Sequence, residues 1–143
     1  SQIEPGMAVI SRKGVAGIIK SVSGHFSTVT SILNRKLMIS SQLKKTNTLC
    51  TVQWNLEGPL VADLKYIPRH INIHIGDTVS TSGYNAVFPA EIMVGTIISY
   101  QLPDESPFYA AKIQLSTDLS SVDAVYVIRN PLKDEMDSLQ TVL

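Results

Sequence analysis

Two back-to-back runs of strict alternation restrict this chain to β-structure before any other feature is considered. In Thr48 to Leu56, Cys50, Val52, Trp54 and Leu56 fall on one face and Thr51, Gln53 and Asn55 on the other. After Glu57-Gly58-Pro59 the pattern resumes, with Leu60, Ala62, Leu64 and Tyr66 set against Val61, Asp63 and Lys65. Successive side chains of a strand point to opposite faces, so a period of two turns one set toward a core. A Gly-Pro break between two such runs predicts a hairpin.

The same period recurs along the chain. Ile71, Ile73 and Ile75 alternate with Asn72 and His74. Shorter candidates are Met7 to Ser11, Val15 to Ser23, Ser27 to Leu33, Leu37 to Leu43, Ile92 to Tyr100, Phe108 to Leu115 and Ala124 to Arg129. That is about ten strands of roughly five to nine residues, the supply of a barrel or sandwich. Helical signals are few: one turn over Leu119 to Val122 after Asp118, and a tail in which Leu132, Met136 and Leu139 have helical spacing. Only Asn130-Pro131 introduces that tail, so it is expected to fray.

There is a faint internal echo. Gly6-Met7-Ala8-Val9-Ile10-Ser11 resembles Gly76-Asp77-Thr78-Val79-Ser80-Thr81, and Gly17-Ile18-Ile19-Lys20-Ser21 resembles Gly95-Thr96-Ile97-Ile98-Ser99. The spacings between the two blocks differ, which excludes a solenoid. We expect two small β-units, residues 5–70 and 71–130, meeting near Pro68-Arg69-His70, with a terminal strand crossing back to the first. A tail, 131–143, follows.

Composition narrows the function. Of 143 residues, 44% are apolar and 17% charged, which supports a packed core rather than disorder. Twelve basic and twelve acidic residues cancel, leaving no overall footprint for nucleic acid or an anionic membrane. The one cysteine, Cys50, rules out an intrachain disulfide and reads as a small buried group. No run approaches the ~18 apolar residues of a membrane span.

Chemistry is sparse. On a strand, His70 and His74 share a face but stand roughly 13 Å apart, too far for one zinc ion; no metal or cofactor site is expected. Ser82-Gly83 looks like a nucleophile before glycine, with His25 and Asp63 as the remaining triad types. The glycine two positions before the serine, which opens the oxyanion turn, is missing. Gly76-Asp77 reads as a capped turn. Trp54, Tyr66 and Phe88 read as core, whereas Tyr84 or Tyr100 at a rim would mark a protein-binding patch.

The order of these pieces is more specific than any one of them. Gly14-Val15-x-Gly17-x-Ile19 comes first, then Leu64-Lys65-Tyr66-Ile67-Pro68, then Ile75-Gly76-Asp77-x-Val79-x-Thr81-Ser82-Gly83. Val87-Phe88-Pro89, Val94-Gly95-x-Ile97, Phe108 with Leu115-x-x-Asp118-Leu119, and Val125-x-Val127-Ile128 close it. From about Gly6 to Asn130 this resembles the extracytoplasmic portion of the MreC family of rod-shape-determining proteins.

The resemblance implies an all-β fold of two small antiparallel barrels, chymotrypsin-like but without catalytic residues. It implies a non-enzymatic scaffold of cell-wall elongation, anchored by one helix in the inner membrane with this region in the periplasm. Its partners would be the class B penicillin-binding protein of elongation, MreD, and copies of itself in dimers or filaments. The protein-binding surface is expected at Tyr84, Asn85, Val87, Phe88 and Pro89. In the family a glycine usually follows the Phe-Pro segment where Ala90-Glu91 stands here, so a corner needing positive φ is expected to bend differently. Tyr84-Asn85 replaces a more usual Leu-Gly. The rival readings are a trypsin-like hydrolase using Ser82, and a biotinyl- or lipoyl-like carrier domain, which needs a lysine at a hairpin tip.

Overall fold

The computed structural model describes residues 3–85 and 87–130, and the expected tail helix lies outside them. Among these residues there are ten strands: β1 (Ala8–Ser11), β2 (Gly14–Val22), β3 (Ser27–Ser31), β4 (Met38–Leu43), β5 (Leu49–Gln53), β6 (Val61–Lys65), β7 (Thr78–Thr81), β8 (Met93–Gln101), β9 (Ala110–Leu115) and β10 (Tyr126–Ile128). All pairings are antiparallel, and among the described residues there is no helix, hence none able to cross a membrane.

The strands form a closed six-stranded barrel in the order β4-β5-β6-β9-β8-β7 and a four-stranded sheet in the order β10-β1-β2-β3. The all-β expectation holds, but the expected division at residue 70 is not the division of the sheets. The barrel joins two three-stranded meanders, β4 to β6 and β7 to β9, one from each side of that boundary. Closure pairs β4 with β7 and β6 with β9, so no barrel edge is left open. β10 returns to β1, with Ala8 opposite Ile128.

The barrel interior is filled from alternate positions: Ile39 and Leu43, Cys50 and Val52, Ala62 and Leu64, Val79, Val94 and Ile97, and Ile113 and Leu115 are all buried. Each large aliphatic side chain so buried contributes about 1.5–3 kcal/mol. Burial pushes the Cys50 thiol up to about 12 by desolvation.

Two local events break the alternation expected in the first hairpin. Leu56 and Tyr66 have φ of 74° and 72°, in the left-handed region that bulky side chains avoid. Each turns its side chain off the core face, leaving Leu56 and Tyr66 exposed while Ile67 takes the buried place. The expected strand over Ile71 to Ile75 does not form. Its backbone groups find partners elsewhere: Tyr109 Oη donates to the Ile71 carbonyl at 2.7 Å, and the His74 amide donates to Asp77 Oδ2 at 2.9 Å. Only Ile73 of the three isoleucines is buried.

The sequence echo is structural. The Gly6 amide donates to Ile19 O at 2.8 Å and the Ile19 amide to Met7 O at 2.9 Å; Gly76 with Ile97, and Ile97 with Asp77, repeat both bonds at the same distances. Register shifts fall at Val9/Ile10 and Ile19/Ser21 in the first unit, and at Val79/Ser80 and Ile97/Ser99 in the second. Gly17 and Gly95 occupy matching sites of close approach, where a Cβ would lie 2.2 Å from Thr30 O and Gln114 O respectively. The main difference is the hairpin connection. β1 and β2 are joined by Arg12-Lys13 alone, whereas β7 and β8 are joined by the longer loop 82–92.

Candidate protein-interaction surface

Thr81 holds the base of that longer loop. Its fully buried Oγ1 donates to Pro89 O at 2.6 Å and accepts the Ile92 amide at 2.9 Å. The Glu91 amide donates to Thr81 O at 2.8 Å, and Glu91 has φ of 70°. The corner therefore takes a positive φ without a glycine. Nearer the tip, Ser82 Oγ accepts the Tyr84 amide at 3.1 Å and Asn85 Oδ1 accepts the Val87 amide at 3.3 Å, the local turns such side chains favour.

The five residues expected to form the surface separate. Tyr84 is 71% exposed and Asn85 is exposed, so both face solvent. Val87 and Pro89 are half-buried, and Phe88, at 4% exposure, belongs to the core. Phe88 supports the loop from the core side.

Aromatic side chains gather instead on the barrel beside β6, β8 and β9: Tyr66, Tyr100 and Phe108 are exposed and Tyr109 is half-buried. Tyr66 and Phe108 meet edge to face, with centroids 5.5 Å apart and planes at 81°; Tyr100 and Tyr109 do the same at 5.7 Å and 80°. These are favoured aromatic geometries. Both pairs line a cavity of about 530 Å³ that also takes in Ala110 and Lys112. Tyr66 lines a second hollow of about 250 Å³ together with Tyr84, so the loop tip and the aromatic face are neighbours. The sequence marks Tyr100 as a rim aromatic, but its alternation puts Tyr66 inside, and it assigns no surface role to Phe108 or Tyr109. A left-handed residue at Tyr66 carries no sequence signal that alternation could have read.

Beside the aromatics, Lys112 Nζ lies 2.9 Å from both Glu57 Oε1 and Asp63 Oδ1, and Asn55 Nδ2 donates to Asp63 Oδ1 at 2.7 Å. The hydrogen bonds it donates to Glu57 and then to Asp63 hold the Lys112 ammonium above the usual lysine range. The residue types of a triad are not assembled by hydrogen bonds: His25 is exposed between β2 and β3, Asp63 is engaged with Lys112 and Asn55, and Ser82 Oγ accepts the Tyr84 amide. Among the described residues no group of three His, Cys, Asp or Glu could hold a metal ion.

A closed barrel with a second sheet, an anchored loop and an aromatic outer face define a β-protein organised around the surfaces it presents. The chain belongs to the MreC family of rod shape-determining proteins, whose barrel core matches residues 1–129. That family consists of cell-shape determinants and not of enzymes. The cell shape-determining protein MreC of Listeria monocytogenes is 25% identical over 130 residues, covering 89% of this chain and 44% of the relative. The chain thus spans less than half the length of that relative.

The crystal structure of Pseudomonas aeruginosa MreC superposes with a TM-score of 0.82 at 19% identity, over 88% of this chain and 81% of that one. A Helicobacter pylori structure, a complex between penicillin-binding protein PBP2 and MreC, superposes with a TM-score of 0.71 at 21% identity, over 91% of this chain and 82% of that one. Both likenesses establish the fold.

Proposed function

We propose that this chain is the extracytoplasmic β-region of a scaffold of bacterial cell-wall elongation, held at the inner membrane by a single anchor in the full-length protein. Its work is binding: a peptidoglycan synthase that docks on it in one conformation has its population shifted toward that conformation. The partners in this reading are the class B penicillin-binding protein of elongation, MreD and other elongation-complex proteins, and further copies of the chain in dimers or filaments. The observation that carries it is the family match over residues 1–129, with support from the Helicobacter pylori relative solved with PBP2. Tyr84 and Asn85 are the contact residues of the loop, and Val87, Phe88 and Pro89 fix its shape.

Calorimetric titration of the purified chain with the extracytoplasmic region of the elongation penicillin-binding protein, alongside light scattering of the chain alone, tests this reading. Saturable micromolar binding is expected, weakened in a Tyr84→Ala, Asn85→Ala double variant. No binding from a clean monomer would overturn the partner assignment for this region.

A further inference from the structure

The aromatic cavity does not end at Lys65. A further hollow of about 520 Å³, distinct from the one shared with Tyr84, adjoins it, shares Asp63 and Lys65 with it, and brings in Arg35, Lys36 and Trp54. The two together make one trough across the outer face of the barrel, aromatic at one end and basic at the other. The chain as a whole has no net charge, so the basic end is a local departure.

Among the described residues its cations are uncompensated. Neither Arg35 nor Lys36 nor Lys65 has a carboxylate within ion-pair distance among the described residues. Lys65 donates instead to the neutral amide oxygen of Gln53, at 2.7 Å. Asp63, the carboxylate that lines both hollows, is already matched by Lys112 and Asn55.

The trough is also pre-shaped. The Arg35 carbonyl accepts from the Gln53 amide group, the Lys36 amide donates to Asn34 Oδ1 at 2.8 Å, and Trp54 Nε1 donates to Gly58 O at 2.7 Å. At the aromatic end Tyr66 is held at φ of 72°, where a bulky residue costs about 1–3 kcal/mol, and the result is a ring turned outward against Phe108. The Tyr66 and Tyr100 hydroxyls have no hydrogen-bond partner among the described residues, whereas Tyr109 Oη is occupied by Ile71 O.

We infer that this trough docks an extended segment of a partner protein in which an apolar or aromatic anchor is followed by two or more carboxylates. The anchor enters the aromatic cavity between the two edge-to-face pairs, and the carboxylates meet Arg35, Lys36 and Lys65. Cavities of this volume suit one or two side chains, and aromatic anchors flanked by matched charge carry affinity and register at protein interfaces. The Asp63 carboxylate interrupts the basic run, which favours a short acidic segment over a continuous polyanion. The inference rests on the reading of this chain as a protein-binding module, and adds where and what it binds.

Three synthetic peptides test it by NMR titration of the chain: Ac-LYLPDED-NH2, its charge-swapped counterpart Ac-LYLPKRK-NH2, and the anchorless Ac-SGSPDED-NH2. The first is expected to bind at least tenfold more tightly than either of the others, to shift resonances of Tyr66, Tyr100, Phe108 and Lys65, and to weaken about tenfold between 50 and 500 mM salt, as exposed charge pairs do. An Arg35→Glu, Lys36→Glu variant should lose at least tenfold. So should Tyr66→Asn, which removes the ring while tolerating the left-handed backbone.

Equal binding of the three peptides, no binding, or shifts confined to other faces would overturn the inference. The penicillin-binding protein titration separates the two readings. A synthase bound equally by the native chain and the Arg35→Glu, Lys36→Glu variant uses another surface, so the proposed function stands and the trough falls as its site. A peptide bound in the trough with no synthase binding overturns the synthase partnership and leaves the trough in place.

Discussion

The two three-stranded units, β1 to β3 and β7 to β9, begin from the same local instructions and end in different environments. Each opens with a glycine at φ near 90°, bends at the same two register shifts, and crosses its neighbour at a glycine with no room for a Cβ. In the second unit the β4 to β6 meander takes up both edges and closes a barrel. In the first, β10 takes one edge, and β3 has no second neighbour among the described strands.

The far ends differ accordingly. The hairpin joining β2 and β3 is exposed from Lys20 to Val29, with Phe26 at 77% exposure. The chain joining β8 and β9 is stapled by Arg69, whose Nη1 donates to Pro103 O at 3.2 Å and Ser106 O at 2.7 Å. Bulges and glycines therefore shape a unit, while closure is a property of what pairs with it.

The sharpest test of that difference is the glycine pair. Gly95→Ala drives a Cβ against Gln114 O on a strand locked between β6 and β8, and is expected to cost about 3 kcal/mol or more. Gly17→Ala makes the same collision with Thr30 O, but β3 can move away, so a loss of about half that size is expected. Urea unfolding of both variants checks the order, and equal losses would mean the open sheet is as constrained as the barrel.

Thr81 and Ser11 occupy matching places, each hydroxyl accepting an amide of its hairpin connection, from Ile92 and Lys13 respectively. Thr81→Val leaves that part-buried amide and the Pro89 carbonyl unpaired, at about 2–3 kcal/mol. Ser11→Ala, which ends a 2.8 Å bond to Thr117 Oγ1 and the bond to the short turn, should cost about 1–2 kcal/mol. Thermal denaturation of the two variants decides between them.

Cys50, inside the barrel, reports on closure through pH. Its folded pKa is raised, so the native state keeps a proton that the unfolded chain releases. The associated stability is intact below about pH 9 and falls as pH rises toward 12, by up to ~1.4 kcal/mol per pH unit. Stability curves of the native chain and Cys50→Ala from pH 8 to 10.5 should diverge only above about pH 9. Parallel curves would mean that water reaches the thiol.

The smallest expected effect is a gain. Glu91 stands in the left-handed region on the loop that the first unit lacks, so Glu91→Gly relieves backbone strain and should stabilise by about 0.5–1 kcal/mol. A lowered melting temperature would show that the Glu91 side chain makes a compensating contact.

Much of this was legible without coordinates, because burial on one face imposes a period of two and the period survives in the residues. Cys50, Val52, Ala62 and Leu64 were placed inside by alternation alone and are inside. The paired glycine blocks were visible too, since a missing Cβ is a sequence-level mark of a turn or a close approach. Alternation failed where one residue adopted a left-handed φ, at Leu56 and Tyr66, and where side chains rather than a neighbouring strand satisfied the backbone, from Ile71 to Ile75.

The composition of the aromatic face was beyond reach for a related reason. Tyr66, Tyr100, Phe108 and Tyr109 come from three separated stretches, brought side by side when β9 inserts between β6 and β8. Local chemistry dictates which residues turn, bend and alternate, because those preferences act within a few bonds. Which meander closes on which, and which rings meet outside, depends on long-range pairings whose free energy belongs to no single segment.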